Sequence, residues 1–263
     1  MQFKDQIDRV FELTKTPKRI ISLVPSQTEL LVDLGLEEYI VGVTKFCIHP
    51  DYLRKNKTIV GGTKNIKIDV IKALKPDIIL CNKEENTKEI VEICEQIAPT
   101  HVSDIFTLND AKELINQYGA ILSCHKKAQS IIKELDEKTD DFKSYIKNKE
   151  IKSVAYFIWK SPWMVAANNT FINHLLELNN FNNVFKNKQR YPEIDLEGIL
   201  QEKNTDLILL SSEPYPFKEK HITEINKHVK NAKVILVDGE MFSWYGSRLL
   251  KAFSYFKKLH KNL

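Results

Sequence analysis

The sequence predicts an α/β protein made of two similar lobes that are joined by a long helix. Aliphatic runs typical of strands alternate with amphipathic helical stretches at the start of the chain and again towards its end. Between Thr107 and about Lys149 the sequence shows no strand pattern. Because alternating strands and helices are typical of parallel sheets, we expect an N-terminal α/β lobe over 1–106, a helical linker that includes the backbone helix over 107–150, and a C-terminal α/β lobe over 151–263.

The first lobe is predicted from four aliphatic runs and the helices between them. The predicted strands cover 19–25, 39–46, 77–81 and 100–105, and a helix is predicted over 83–97. The stretch 26–36 predicts a helix with Ser26 as its N-cap and Glu29 completing a capping box. A helix that starts at Ile68 is expected to end before Pro76, because the residue that precedes a proline disfavours helical backbone.

The linker and the second lobe are predicted from the same two patterns. One helix is expected over 107–124, and a second, long one over 126–149. In the second lobe, strands are expected over 152–159, 205–211 and 232–239, and helices over 169–179, over the stretch that begins at 194, and over 247–260.

The two lobes are predicted to share one plan. The stretches 68–81 and 194–211 both start with Ile-Asp and continue through a helix to an aspartate and an aliphatic strand. The predicted strand over 19–25 corresponds to the predicted strand over 152–159, and the run at 100–105 corresponds to the last predicted strand, over 232–239. A general likeness of all strand–helix units stays open as the alternative.

Composition argues against several functional classes. The net charge is +4 and the lysines are spread thinly, whereas nucleic-acid binders concentrate basic charge on one face, so no nucleic-acid partner is expected. No stretch reaches the roughly 20 apolar residues that span a bilayer. The start of the chain has no apolar signal-peptide region, which predicts a cytoplasmic protein as written, or a periplasmic or cell-envelope protein if a signal was trimmed.

Aromatic and arginine residues that follow predicted strands form the candidate binding site. Ligands of open α/β sheets bind at the carboxyl ends of strands, and Trp244, Tyr245 and Arg248 come just after the last predicted strand. The two rings could stack on a planar ligand, and the arginine, like Arg190, could bind an anion. Aromatic residues that pack the lobes and arginines in salt bridges stay open as the alternatives.

Cys47 and His49 lie two residues apart after the second predicted strand. In an extended segment both side chains would point the same way, and cysteine with histidine can bind zinc, iron or copper. Glu84 or Glu85 could add a carboxylate, although a closed site usually needs three or four ligands. The same pair could be the nucleophile and base of an enzyme. As a third alternative, Cys47 is a small half-buried hydrophobic residue and His49 is a hydrogen-bonding loop residue.

The chain resembles the class III periplasmic solute-binding proteins, and the residues that carry this resemblance are "PKRIISLVPSQTELLVDLGL", "VGVTKF", "IDVIKALKPDIIL" and the single long connecting helix. These helical-backbone metal receptors include the cobalamin-, siderophore- and haem-binding proteins of ABC importers. The resemblance runs from about Asp8 to the C-terminus. It implies two Rossmann-like lobes that are joined by a single long backbone α-helix, with a ligand cleft between the lobes.

The resemblance also implies ligand contacts at aligned positions. Phe46 stands where the cobalamin binders have a tyrosine, and Thr63 and Met241 stand where they have tryptophans. Aromatic residues could stack on a flat macrocycle, and basic residues could bind anionic groups. The candidate ligand-binding residues are Phe46, His49, Thr63, Lys64, Trp163, Arg190, Tyr191, Tyr215, Met241, Trp244, Tyr245 and Arg248.

The resemblance implies a non-catalytic protein that binds a metal chelate and delivers it to an ABC importer. A corrinoid such as cobalamin is the expected ligand, with a ferric siderophore or haem as the alternative; we expect a monomer with no separate cofactor. The family docks on its permease through one acidic residue per lobe, at the positions of Asp69 and Glu197, although helix dipoles also favour such carboxylates. A cytosolic enzyme or a direct metal-binding protein that uses Cys47 and His49 stays open as the second hypothesis.

Overall fold

The computed structural model describes residues 1–196, 204–229 and 231–263. The chain divides into two compact units, and each unit contains one parallel sheet. Unit one comprises Met1–Ile105, Asn109–Asp136 and Tyr245–Arg248, and unit two comprises Phe106–Leu108, Glu137–Trp244 and Leu249–Leu263. The domain boundaries that we expect near residues 106 and 150 stay a prediction.

Unit one begins with an antiparallel pair and continues with a five-stranded parallel sheet. The pair consists of β1 (Gln2–Lys4) and β2 (Val10–Glu12), and the sheet consists of β3 (Ile20–Ser22), β4 (Ile40–Val43), β5 (Thr58–Ile59), β6 (Ile78–Asn82) and β7 (Thr100–Ser103). The spatial order of the sheet is β5-β4-β3-β6-β7. β3 and β6 are buried along their whole length, as expected for parallel strands that are covered on both faces.

The helices of the first half of the chain follow the strands in alternation. They are α1 (Pro25–Asp33), α2 (Leu53–Asn56), α3 (Ile68–Ala73), α4 (Lys88–Glu95), α5 (Leu108–Ile121) and α6 (His125–Ile146). α4 begins after Thr87, whose hydroxyl oxygen accepts a hydrogen bond from the backbone N–H of Ile90 at 3.3 Å. Side chains from α3 and α4, including Ile71 and Ile90, pack with Ile21 and Ile79 of the sheet in the core of unit one.

Unit two contains a four-stranded parallel sheet with a short antiparallel strand beside it. Its strands are β8 (Lys152–Trp159), β9 (Met164–Val165), β10 (Phe181–Asn183), β11 (Leu207–Ser211) and β12 (Lys233–Val237), and its helices are α7 (Phe171–Leu178), α8 (Glu219–Ile225), α9 (Gly239–Ser243) and α10 (Leu249–Lys261). The parallel order is β10-β8-β11-β12, and β9 pairs antiparallel with β8.

The long helix that the sequence predicts is α6, which has 22 residues. Its residues up to Asp136 belong to unit one, and those from Glu137 onwards belong to unit two. In unit two the buried ring of Phe142 lies 5.5 Å from the ring of Phe253 and 5.8 Å from that of Phe256, both in α10. Aromatic packing therefore stabilises the section of α6 that contains weak helix-forming residues.

The two parallel sheets share one strand order, which confirms the predicted repeat. Counted along the chain within each unit, the four common strands lie in the order second, first, third, fourth. β3 and β8 are the first strands, β6 and β11 the third, and β7 and β12 the fourth, as the sequence correspondences predict. β5 at the edge of the first sheet has no counterpart among the described strands of the second.

Several local expectations are wrong. The N-cap of α1 is Val24, and Pro25 is the first helical residue, so Ser26 lies inside the helix and forms no capping box with Glu29. Proline suits the first helical position because its missing N–H would have no partner there. α4 starts at Lys88 rather than at 83. The strands β5, β9 and β10 and the helix α8 are not predicted from the sequence.

Candidate functional site

The carboxyl ends of the parallel strands lie at one edge of each sheet, which we call the carboxyl edge of that unit. In unit one, hydrogen bonds join the loops that follow the strands. The backbone N–H of Lys45 donates to the carbonyl of Gly61 at 2.8 Å, and the side-chain amide of Asn86 donates to the carbonyl of Thr63 at 2.9 Å. Neighbouring loops thus hold one another, and Thr63 is buried rather than open to a ligand.

Phe46 is an exposed aromatic residue at the carboxyl edge of unit one, with 48% of its surface accessible. Its ring lies against Gly62, where an added Cβ would come within 3.1 Å of the ring atom Cε2. The ammonium group of Lys45 lies 5.0 Å from the centre of the same ring. The glycine therefore leaves room for the ring, and Phe46 can present an aromatic surface next to a positive charge. Its contact with a ligand stays a prediction.

Lys64, Glu84 and Glu85 add charge to this edge. The ammonium group of Lys64 donates to the backbone carbonyl of Glu84 at 2.6 Å. Burial raises the pKa of the Glu85 carboxyl above its ordinary value, the negative charge of Glu84 raises it further, and Lys64 partly opposes both. Both glutamates are half-buried, and Glu85 is the one of the two whose carboxyl pKa is raised by burial.

Cys47 is buried and hydrogen-bonded within unit one. Its Sγ atom lies 3.1 Å from the hydroxyl of Thr28 and 3.2 Å from the hydroxyl of Thr44. Burial raises the pKa of the thiol, which disfavours the nucleophilic thiolate. Cys47 also closes a turn, since its N–H donates to the carbonyl of Thr44 at 3.1 Å. The expected extended segment with Cys47 and His49 side by side is therefore wrong, and the small-hydrophobe alternative describes this cysteine.

The proposed direct metal site is not assembled. Over residues 1–196, 204–229 and 231–263, no group of three or more histidine, cysteine, aspartate and glutamate side chains is placed to hold a metal ion. Cys47, His49 and Glu84, the candidate ligands from the sequence, therefore do not converge on one centre.

Tyr245 belongs to unit one and lies at the centre of a buried hydrogen-bond network. Its phenol oxygen accepts a hydrogen bond from the Nε2 atom of Gln27 at 3.1 Å, and the same nitrogen donates to the hydroxyl of Ser103 at 2.6 Å. The hydroxyl of Tyr118 donates to the Oε1 atom of Gln27 at 2.7 Å. Burial raises the pKa of Tyr245. This ring therefore packs inside unit one, and its stacking on a ligand stays a prediction.

Arg248 forms a buried ion pair and leaves no open fork for an anion. Its Nε atom donates to Oε2 of Glu29 at 2.7 Å, and its Nη2 atom donates to Oε1 at 2.9 Å. Each side chain is only 6% exposed. Gly246, at a φ of +89°, brings the backbone close to Leu30, which lies in α1 together with Glu29. The salt-bridge alternative from the sequence therefore describes Arg248, and its partner is buried rather than at the surface.

Trp244 and Met241 lie in or next to the short helix α9 of unit two. Trp244 is the C-cap residue of α9 and is 7% exposed, whereas Met241 is half-buried. Trp244 thus contributes to packing, which is one of the two alternatives that the sequence leaves open.

Arg190 and Tyr191 come together in unit two, as the sequence predicts. The guanidinium carbon of Arg190 lies 5.7 Å from the ring centre of Tyr191 and 6.0 Å from that of Phe106. One guanidinium nitrogen donates to the carbonyl of Asn169 at 3.3 Å. The arginine is half-buried between these groups, and its binding of an anion stays a prediction.

An aromatic cluster covers the carboxyl edge of unit two. We define this cluster as Trp159, Trp163, Tyr215, Phe217 and His221. Trp163 stacks on Phe217 with ring centres 6.0 Å apart and planes 10° apart, and Tyr215 lies 4.8 Å from Phe217. His221 touches both Tyr215 and Phe217, at 5.5 and 5.4 Å. The structure thereby brings together the predicted contact residues Trp163 and Tyr215.

His221 fixes the loop that carries the cluster. Its Nδ1 atom accepts a hydrogen bond from the backbone N–H of Lys218 at 2.8 Å, and its Nε2 atom lies 3.4 Å from the hydroxyl of Tyr215. Burial lowers the pKa of this histidine, and the charges of Lys160 and Lys220 lower it further. A neutral ring that accepts at Nδ1 holds the loop in position.

Trp159 is the most exposed member of the cluster. It ends β8, is 40% exposed, and lies 5.7 Å from the ring of Tyr215. It belongs to the segment 159–163 at the end of a predicted strand, where the sequence predicts residues that line a ligand site, but it is not among the candidate ligand-binding residues.

The two predicted docking carboxylates have different outcomes. Asp69 is exposed in the first turn of α3. Glu197 lies outside the described residues. The docking role therefore stays a prediction for both.

Comparison with known proteins identifies similar chains for most of the sequence. The model of a family described as periplasmic binding protein matches residues 20–235. The uncharacterized ABC transporter substrate-binding lipoprotein YvrC of Bacillus subtilis is 26% identical over 251 residues, which cover 91% of this chain and 78% of the relative. The vitamin B12-binding protein of Pectobacterium carotovorum is 24% identical over 240 residues, which cover 90% of this chain and 86% of the relative.

A solved structure gives the same fold. The petrobactin-binding protein YclQ of Bacillus subtilis superposes with a TM-score of 0.81 at 19% identity, over 100% of this chain and 97% of that one. The family match and this superposition confirm the predicted fold class.

The expected location needs correction. A cytoplasmic protein is not supported by these relatives, one of which is named a lipoprotein. Over residues 1–196, 204–229 and 231–263, every helix is too short or too polar to cross a bilayer.

Proposed function

Since this chain belongs to the periplasmic binding protein family, we propose that it is a non-catalytic solute-binding protein that delivers a metal chelate to an ABC importer. The observation that carries this proposal is the placement of exposed rings. Phe46 in unit one and Trp159 in unit two are both large, exposed aromatic residues, and each lies at the carboxyl edge of its own sheet. Exposed rings at ligand-binding edges are costly unless they cover a ligand.

The chemistry of Cys47 supports binding rather than catalysis. A cysteine nucleophile needs an accessible thiolate and a neighbouring base. The Cys47 thiol is buried, burial raises its pKa, and its contacts are the hydroxyls of Thr28 and Thr44. A binding protein needs no such activation.

A corrinoid is the ligand that the charges favour. Several basic groups that could attract an anionic siderophore are already paired. Lys83 pairs with Asp104 at 2.6 Å, Arg248 pairs with Glu29, and Lys160 pairs with Glu224. Paired charges and exposed rings suit a large, flat and largely neutral macrocycle better than a polyanion. The vitamin B12-binding relative supports the same choice.

Delivery would use one acidic residue from each half of the sequence. Asp69 is exposed in the first turn of α3, where a permease could bind its carboxylate. Glu197 is the corresponding residue in the second half of the sequence. We place the protein outside the cytoplasmic membrane, where a solute-binding protein of an importer meets both its ligand and its permease.

Titration with cyanocobalamin tests the proposed function directly. We expect saturable binding by isothermal titration calorimetry and a rise in the thermal midpoint, because a ligand at 100 times its Kd adds about 2.7 kcal/mol of stability. Haemin and a ferric siderophore are the matched probes. If the protein bound only haemin or only the ferric siderophore, that chelate and not a corrinoid would be the ligand. Failure to bind any of the three probes would refute the proposed function.

A further inference from the structure

We infer that Trp159 is a ligand-contact residue that packs its indole against an apolar surface of a planar macrocyclic chelate. This inference rests on the proposed function and adds a residue to it. Trp163 and Tyr215 are among the candidate ligand-binding residues, whereas Trp159 is not, and its exposure in the structure is what adds it.

The position of Trp159 on β8 is that expected of a ligand-contact residue rather than of an ordinary exposed residue. β8 lies between β10 and β11 in the sheet of unit two, parallel to both. Trp159 is its last residue, at the carboxyl edge, and is 40% exposed. Ile151, 67% exposed, lies just before the first residue of the same strand, at the opposite edge. Only the carboxyl edge is where ligands of parallel sheets bind.

The ring of Trp159 is supported from behind by other members of the aromatic cluster. It contacts Tyr215, which in turn contacts Phe217 and His221, and Phe217 stacks on Trp163. The backbone of Trp159 is held as well, because it pairs with Met164 of β9. A ring that is already positioned loses little conformational freedom when a ligand binds.

The charges around the cluster favour a neutral apolar surface of the ligand. Lys160, the next residue along the chain, has its ammonium group 5.2 Å from the ring of Trp163 and pairs with Glu224. The carboxylate of Glu213 accepts a hydrogen bond from the hydroxyl of Ser243 at 2.6 Å. Because these nearby charges have partners, the indole offers mainly van der Waals and hydrophobic contact.

The test compares substitutions at the two ends of one strand. Cyanocobalamin is titrated into the full chain as wild type, Trp159→Ala, Trp159→Phe and Ile151→Ala. We expect Trp159→Ala to raise the Kd at least tenfold, Trp159→Phe to raise it less, and Ile151→Ala to change it less than twofold. The thermal midpoints of the unliganded variants should stay close to that of wild type, because both substituted side chains are exposed.

The outcomes distinguish this inference from the proposed function. Equal Kd values for Trp159→Ala and wild type would overturn the contact role while leaving the binding protein intact. An equal loss in Trp159→Ala and Ile151→Ala would also overturn it, because the effect would then not belong to the carboxyl edge. A wild-type chain that binds none of cyanocobalamin, haemin and a ferric siderophore would overturn both proposals.

Discussion

Units one and two have sheets of the same strand order but carboxyl edges of different chemistry. In unit one the edge is held by polar contacts, such as those of Asn86 with Thr63 and of Lys64 with Glu84. In unit two the corresponding edge is covered by stacked rings, with Trp163 on Phe217 at the centre. The scaffold is thus repeated, whereas the loops that leave it are not.

This difference indicates which part of a repeated fold determines ligand specificity. Strand order depends on aliphatic runs that both halves share, so it survives large changes in sequence. The chemistry of each carboxyl edge is set by single side chains such as those of Phe46 and Trp159, whose identity the strand order does not determine. Three substitutions test the contrast between a polar unit one and an aromatic unit two.

The largest expected effect comes from the buried ion pair of unit one. Replacing Arg248 with methionine leaves the carboxylate of Glu29 buried without its guanidinium, and we expect a loss of about 3–5 kcal/mol in the free energy of unfolding. Urea denaturation followed by circular dichroism measures this change.

A half-exposed ion pair in unit two is the matched control. Lys257 pairs with Asp141 at 2.5 Å, with side chains 29% and 69% exposed. Lys257→Met should cost less than about 1 kcal/mol. If Arg248→Met cost as little, the view that unit one depends on buried polar contacts would be wrong.

The second prediction concerns His260, which lies among the rings of unit two. It stacks on Phe181 at 5.0 Å, and its Nε2 atom lies 3.1 Å from Oδ1 of Asn179. Burial lowers its pKa to about 4, and the charge of Lys149 lowers it further. As the pH falls below about 6.5, the unfolded chain takes up the proton first, so stability that is present at neutral pH is lost towards pH 4.

Replacing His260 with phenylalanine should keep the stacking and remove this titration. We expect the stability of the variant to fall by about 1 kcal/mol less than that of wild type between pH 7 and pH 4, a figure reduced for the partial exposure of the ring. Urea midpoints at both pH values measure the difference. Burial also lowers the pKa of His101 in unit one. Because His101 is present in both proteins, its contribution cancels in the comparison between the variant and wild type. Identical pH profiles would remove His260 as a source of acid sensitivity.

The smallest expected effect comes from Glu85 at the edge of unit one. Burial and Glu84 raise the pKa of its carboxyl, so the charged form disfavours folding as the pH rises through that raised pKa. Glu85→Gln should therefore stabilise the protein at pH 7 by a few tenths to about 1 kcal/mol, and by less at pH 4, where the acid is largely neutral. Glu84→Gln is the matched control. A destabilised Glu85→Gln protein would mean that the carboxylate has a favourable partner.

The sequence predicts the framework well because its signals are local. Aliphatic runs identify β3 and β8, and the lack of strand signal after Thr107 identifies α5 and α6. β10 is missed because Asn182 and Asn183 make it polar, and its stability comes from contacts such as the bond from Nδ2 of Asn183 to Oδ1 of Asn173. Tertiary contacts of this kind leave no periodic pattern.

The candidate site is predicted less well because its decisive contacts are distant in sequence. Arg248 and Glu29 are 219 positions apart, and Tyr245 and Gln27 are 218 apart, so no spacing rule relates them. Residue type and a position just after a predicted strand made Tyr245 and Arg248 attractive ligand contacts. Conversely, Trp159 and Trp163 look equivalent in the sequence, and only the structure distinguishes the exposed ring from the one stacked on Phe217.

The assignment of Tyr245–Arg248 to unit one has a consequence for dissecting the molecule. A gene fragment that ends at residue 136 would encode neither the guanidinium that neutralises Glu29 nor the phenol that Gln27 binds. The first half could therefore not be isolated simply by truncation. A short synthetic peptide that spans the missing segment, or a circular permutant that joins it to the first half, would have to restore those groups.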